Sequence, residues 1–166
     1  MDKIERGRIG KKEFFLTGKA LLYILYRILG TILHVLLPLV KLLVPDWAIE
    51  QRLGRYKSIE RSGPLIWIHV ASVGEVQAAR ALIAALTDKI PDCNFFLTTM
   101  TRQGRIAAQS RLLTDVRCEL APLDTPLAVS RAIQTVQPDI YICLETELWP
   151  MMMMEIGRAG IPMLLL

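Results

Sequence analysis

Cysteine is scarce in this sequence and histidine scarcer: 166 residues hold three of one and two of the other. Cys93, Cys118 and Cys143 are odd in number and share no CxxC spacing. That argues against a disulfide framework or a zinc site, and three reduced thiols fit a cytosolic domain. His34 and His69 sit in unrelated segments, so a protein-built metal site lacks ligands and no metal or other cofactor is expected. Neither GxGxxG nor GxxxxGK(S/T) occurs, which leaves a dinucleotide site and a P-loop without support. Without a GxSxG elbow, a serine-hydrolase reading of Ser72 is weak as well. No arginine-rich patch interleaved with aromatics is present, and nucleic acid is not an expected partner.

What is abundant is apolar surface, at 52% of residues, unevenly shared. Residues 1–62 hold 12 Lys/Arg against 6 Asp/Glu, while residues 63–166 hold 8 against 10. Basic charge beside a long apolar run points to an anionic membrane surface. The run is ALLYILYRILGTILHVLLPLVKLLV, residues 20–44, and a bilayer needs about 20 apolar residues to be crossed. Arg27, His34 and Lys41 interrupt it at intervals of seven, which on a helix makes one narrow polar stripe. Two geometries satisfy that stripe. The helix lies in the interface with the stripe toward headgroups, or it spans while Arg27 and Lys41 snorkel. Both flanks are positive, so charge does not choose a topology. Membrane lipids are expected partners either way.

After Gly63-Pro64 the apolar period switches repeatedly between strand and helix. LIWIHV, NFFLTTM, VRCELAP, DIYICLE and PMLLL read as strands. Helical stretches separate them, one with Val76, Ala79, Leu82, Ile83 and Leu86 on a single face. Asp124-Thr125-Pro126 offers a cap and an N-terminal proline for the helix reaching Val136. Such alternation predicts an α/β fold: a Rossmann-like parallel sheet with helices on both faces, preceded by the hydrophobic anchor helix. The expected division is 1–62, anchor and charged linker, and 63–166, an incomplete Rossmann-like domain, because the sequence stops inside an apolar strand. The four consecutive methionines read as core filler.

Ligands of open parallel sheets sit beyond the carboxyl ends of the strands, near the point where strand order reverses. Three loops on that edge carry unusual chemistry. Ser72-Val73-Gly74-Glu75 is either a capping box, with Ser72 and Glu75 bonding each other's backbone, or a place for a proton-accepting carboxylate. TTMTRQG, residues 98–104, puts hydroxyls, a cation and a glycine at a helix start suited to phosphate or sugar, or simply a cap by Thr101. ETELWP, residues 145–150, brings Glu145 and Glu147 to the same edge. Like charges near Glu75 would raise one carboxyl's pKa, while a helix dipole pulls the other way.

HVASVGEV at 69–76, TTMTRQG at 98–104, APLDTP at 121–126 and ETELWP at 145–150, in this order behind a hydrophobic anchor, together resemble the Kdo (3-deoxy-D-manno-octulosonic acid) transferases. The resemblance implies the N-terminal half of a GT-B glycosyltransferase. It also implies Kdo transfer from CMP-Kdo to a lipid A precursor in lipopolysaccharide assembly, with inversion and without metal. The implied location is the cytoplasmic face of the bacterial inner membrane. By the resemblance Glu75 is the general base and Glu145 a supporting carboxylate. Ser72, Gly74, Thr99, Thr101, Arg102, Gly104 and Glu147 then line the acceptor site. The donor would bind a second domain that this sequence lacks, so the 166-residue chain alone is expected to be inactive. Two departures from the family pattern stand out: Thr101-Arg102-Gln103-Gly104 replaces a TPTG-like run, and Met151 replaces an asparagine. The alternatives are a non-enzymatic, membrane-tethered Rossmann-like binding module, or a GT-B enzyme for another lipid-linked acceptor.

Overall fold

The computed structural model describes residues 3–40, 48–111, 116–144 and 149–166, with side chains described from Ala20 onward except at position 40. A long helix α1 (Lys3–Val40) and a single turn α2 (Ile49–Arg52) lead into an alternating series. That series runs β1 (Leu65–Val70), α3 (Val73–Lys89), β2 (Asn94–Thr99), α4 (Arg102–Arg111), β3 (Arg117–Leu120), α5 (Pro126–Val136), β4 (Ile140–Cys143), α6 (Pro150–Arg158) and β5 (Met163–Leu165). The strands form one sheet in the order β3-β2-β1-β4-β5, and every pairing is parallel. Strand order therefore reverses between β1 and β4, the switch point of a Rossmann-like half.

Side chains alternate across each strand, and here both directions lead into a core. On one face Ile66, Ile68, Phe95, Leu97 and Ile142 pack against Val76, Ala79 and Ile83 of α3 and Ala108 of α4. Leu82 and Leu86 join from the predicted α3 stripe. On the other face Trp67, Phe96 and Tyr141 meet Val129, Ala132 and Val136 of α5 and Met151, Met152 and Ile156 of α6. Two of the four methionines are thus core, as their composition suggested. Trp67 stands edge-on to both Phe96 and Tyr141, at 5.5 Å in each case.

β3 is an edge strand, and such edges carry unpaired backbone groups that invite mispairing. Residues of and just after α2 cover it. Gln51 Oε1 accepts from the Leu120 amide at 2.8 Å, and Tyr56 Oη donates to the Leu120 carbonyl at 2.8 Å. Helix α1 lies against α5, and its Leu37 joins Ile49, Leu53 and Leu123 in a small third cluster. Of the polar stripe foreseen on α1, His34 faces protein, while Arg27 is half-buried beside Tyr23 of its own helix. Arg27 donates to Tyr23 Oη at 2.7 Å, and His34 Nδ1 lies 3.2 Å from Thr125 Oγ1. Lys41 lies outside the described residues.

Candidate functional site

The carboxyl edge of the sheet gathers the first two loops singled out above and the described ends of the third. β1 leads through Ala71 into α3, whose N-cap is Ser72. The Glu75 amide donates to Ser72 Oγ at 3.3 Å, and Glu75 Oε2 accepts from the amides of Ala71 at 2.7 Å and Ser72 at 3.4 Å. Ser72 Oγ also donates to Glu75 Oε1 at 2.7 Å. The capping box of the sequence is therefore formed, and it fixes the Glu75 carboxylate at the mouth of the helix. Ser72 and Gly74 are exposed and Glu75 is half-buried. A Cβ on Gly74 would meet only Ser72 Oγ, at 3.8 Å, so the space above this turn is open.

The second loop is built more tightly. Thr101 Oγ1 accepts from the Gly104 amide at 3.0 Å, the plain cap that the sequence allowed. Thr99 is buried, and its hydroxyl donates to the Thr101 carbonyl at 3.0 Å, holding the turn from beneath. A Cβ on Gly104 would lie 3.1 Å from Thr101 Oγ1 and 3.2 Å from Thr99 Cβ, so glycine lets the start of α4 close onto the end of β2. Thr101 and Arg102 are exposed at this corner.

Of the third loop, Glu145 and Glu147 lie outside the described residues. Its described ends adjoin the first loop, since the Leu144 amide donates to the His69 carbonyl at 3.0 Å. Trp149, the N-cap of α6, supplies no side-chain cap. Asp124 does so from a distance: Oδ2 accepts from the Met151 amide at 3.0 Å and Oδ1 from the Met152 amide at 2.8 Å. Thr125 takes the α5 cap foreseen for this segment, with Pro126 following it.

Four residues to which the sequence reading assigned no part in the site also shape this edge. Arg52 is buried and donates to the carbonyls of Ala121 at 3.1 Å and Met100 at 2.5 Å, tying the ends of β2 and β3 together. His69 is only 2% exposed. Its Nδ1 lies 3.0 Å from Thr98 Oγ1, which also accepts from Trp67 Nε1 at 2.9 Å. Burial drives the imidazole pKa down to about 4, against an upward pull from the Glu75 charge, so His69 is neutral near pH 7. His69 Nε2 and Trp149 Nε1 are buried with no hydrogen-bond partner among the described residues. Both residues line a small cavity with Met100, Asp124, Tyr141 and Met152. Asp124 was visible in sequence as part of a cap. Arg52, His69 and Trp149 gain their meaning only from neighbours distant in the chain. Among the described residues no three His, Cys, Asp or Glu converge as metal ligands.

A doubly wound parallel sheet, with a capped carboxylate beside its switch point, is the architecture of a Rossmann-like α/β half. Residues 48–166 match the family model described as 3-deoxy-D-manno-octulosonic-acid transferase (kdotransferase). The chain belongs to that family. It is 36% identical over 115 residues to the 3-deoxy-D-manno-octulosonic acid transferase of Haemophilus influenzae, covering 69% of this chain and 27% of that protein. With the probable mitochondrial 3-deoxy-D-manno-octulosonic acid transferase of Arabidopsis thaliana it shares 34% over 116 residues, 70% of this chain and 26% of the relative. The Rickettsia prowazekii transferase is 35% identical over 95 residues, 56% of this chain and 21% of its own length. The chain thus spans about a quarter of the length of the curated relatives it matches.

Proposed function

We propose that the chain forms the acceptor-binding half of an inverting, metal-independent GT-B Kdo transferase. The protein would move Kdo from CMP-Kdo to a lipid A precursor at the cytoplasmic face of the inner membrane. Residues 1–62 serve as anchor and linker, and residues 63–166 as the acceptor half. The donor binds a second domain of the full-length protein. The observation that carries this reading is the carboxylate of Glu75, held by its own cap at the sheet's ligand edge beneath open space over Gly74.

In this reading Glu75 takes the proton of the acceptor hydroxyl as that oxygen attacks the anomeric carbon of Kdo. The bond from that carbon to the phosphate oxygen of CMP breaks, and CMP leaves with the electron pair. Attack from the face opposite the leaving group inverts the centre. Capping and proton abstraction are compatible. An ionised carboxylate offers about four acceptor positions, and pinning it by backbone amides keeps it in one geometry. Glu145 supports the charge that develops. Ser72, Gly74, Thr101, Arg102 and Glu147 meet the acceptor, with the buried Thr99 and Gly104 bracing their loop.

The test is Glu75→Gln in the full-length protein, assayed for Kdo transfer with helix content measured alongside. Loss of a general base lowers the rate by roughly 10²–10⁴-fold. Near-normal transfer with intact helix content removes Glu75 from that role. The formed capping box favours a second reading, in which the carboxylate only holds its helix and the chain is a membrane-tethered binding module. Under it the Gln variant loses stability and no activity. A GT-B enzyme for a different lipid-linked acceptor would show the Glu75 dependence with that acceptor instead.

A further inference from the structure

Helix α1 is amphipathic in an inverted sense. Tyr23, Tyr26, Arg27, Gly30, His34 and Leu37 recur at three- and four-residue steps and so share one side. That side faces the globular part along its length. Tyr23 Oη accepts from Arg158 of α6, and Tyr26 Oη donates to Asp124 Oδ2 at 2.7 Å. A Cβ on Gly30 would sit 3.1 Å from Pro126 Cδ, so the backbones of α1 and α5 approach closely there. His34 Nε2 accepts from Arg131 Nη1 at 3.3 Å, and Leu37 is fully buried. Apart from Ala20, Thr31 and Pro38, the remaining circumference is leucine, isoleucine and valine, with Leu22 69% and Leu29 66% exposed. Residues 20–39 have a mean hydropathy of 1.9, and the 19 residues before them carry 6 basic against 3 acidic groups.

We propose that α1 is a monotopic membrane element, docked lengthwise by its polar side and lying in the bilayer interface by its apolar face. This rests on the membrane association proposed above and is independent of the transfer chemistry. The reason is steric and electrostatic. The docked stretch from Tyr23 to Leu37 covers about 21 Å of helix, against a hydrocarbon core of about 30 Å. A spanning α1 would therefore carry Asp124, Arg131 and Arg158 into hydrocarbon, where each charge costs at least a few kcal/mol. Lying flat avoids that cost. The bare apolar face then meets acyl chains, and the basic segment before it meets anionic headgroups.

The occupant of the apolar face is thus lipid, and the geometry is readable from depth. In the full-length protein with Cys93→Ser, single cysteines replace Leu22, Leu25, Leu29, Ile32, Leu36 and Leu39. Each is spin-labelled on vesicles of phosphatidylethanolamine and phosphatidylglycerol, and its immersion is measured by oxygen against a water-soluble relaxer. Cys118 and Cys143 are buried and stay unlabelled. A flat helix gives six depths that agree within about 5 Å, one helical turn. A profile deepest near Leu29 and Ile32 and shallower by about 12 Å at Leu22 and Leu39 overturns the parallel geometry while leaving membrane association standing. Absence of lipid contact at all six positions overturns the membrane reading too. Spin–spin broadening without lipid contact assigns the face to a second copy and also defeats the proposal. None of these outcomes depends on whether Kdo is transferred.

Discussion

Two junctions at the sheet's carboxyl edge are held in opposite ways. Where β1 enters α3, the polar bonds described above run among Ala71, Ser72 and Glu75, five residues in all from first to last. At the ends of β2, β3 and β4 the bonds come from afar. Arg52 reaches 48 and 69 residues along the chain to Met100 and Ala121, and Asp124 reaches 27 and 28 to Met151 and Met152. A local cap can form with its helix and fail with it alone. A long-range tie holds several elements at once, so its loss loosens all of them. The contrast bears on function, because the carboxylate proposed as base stands on the local junction and its surroundings on the distant one.

The comparison breaks first at Arg52. Its guanidinium is buried, with burial holding its pKa below the usual value, and it donates to carbonyls at the ends of two strands. Arg52→Met is expected to cost about 4 kcal/mol, since two charge-assisted bonds vanish and the buried Ala121 and half-buried Met100 carbonyls lose this partner. Urea unfolding measures the total. Hydrogen exchange should show faster opening at both α4 and the 121–125 segment. Opening confined to α2 would mean that the junction is not tied through this residue.

His69 sharpens the comparison through pH. Its folded pKa of about 4 lies below the unfolded value near 6.5, so the unfolded chain binds the extra proton first. Stability from the neutral imidazole is full above pH 6.5 and is lost as pH falls from there toward 4. A gap of that size corresponds to about 3 kcal/mol at the acid end. His69→Gln should flatten this part of the stability curve relative to wild type. An unchanged slope would show that the ring is not kept neutral by its burial.

Asp124→Ala comes next, at about 2 kcal/mol, because the first turn of α6 loses both acceptors and Tyr26 loses its partner on the globular part. If the distant junction is a unit, this variant and Arg52→Met are non-additive when combined. Simple additivity would split it into independent contacts.

Much of the architecture was legible because its causes are local. The β1, β2 and α5 segments are found close to where periodicity put them. Alternation of strand and helix dictated a parallel sheet, and Ser72-Glu75 announced its own box. What stayed hidden was pairwise and distant. Nothing near Arg52 marks it as a tie, since its partners are carbonyls, which every residue has. His69 reads as one more polar residue in an apolar strand until Thr98 pairs beside it. The stripe on α1 was visible, but its direction was not. A line of Arg27, His34 and Lys41 faces headgroups or protein with equal ease until Thr125 is seen beneath His34. The acidic pair at Glu145 and Glu147 was conspicuous in sequence, and it lies outside the described residues.

The smallest expected effect separates the cap from the base at the local junction. Ser72→Ala removes the hydroxyl that accepts from the Glu75 amide and donates to its carboxylate, but leaves the Ala71 amide on Glu75 Oε2. Loss of an N-cap of this kind costs about 1 kcal/mol, confined to the first turn of α3. The carboxylate keeps two backbone anchors, the amides at positions 71 and 72, so its position shifts little. If Glu75 serves only the cap, Ser72→Ala and Glu75→Gln should cost similar stability and leave transfer equally untouched. If Glu75 takes a proton, Ser72→Ala reduces transfer severalfold at most, whereas Glu75→Gln lowers it by roughly 10²-fold or more for the same loss of stability. The ratio of the two activities at matched stability therefore reports which job the carboxylate holds, without requiring either variant to be inert.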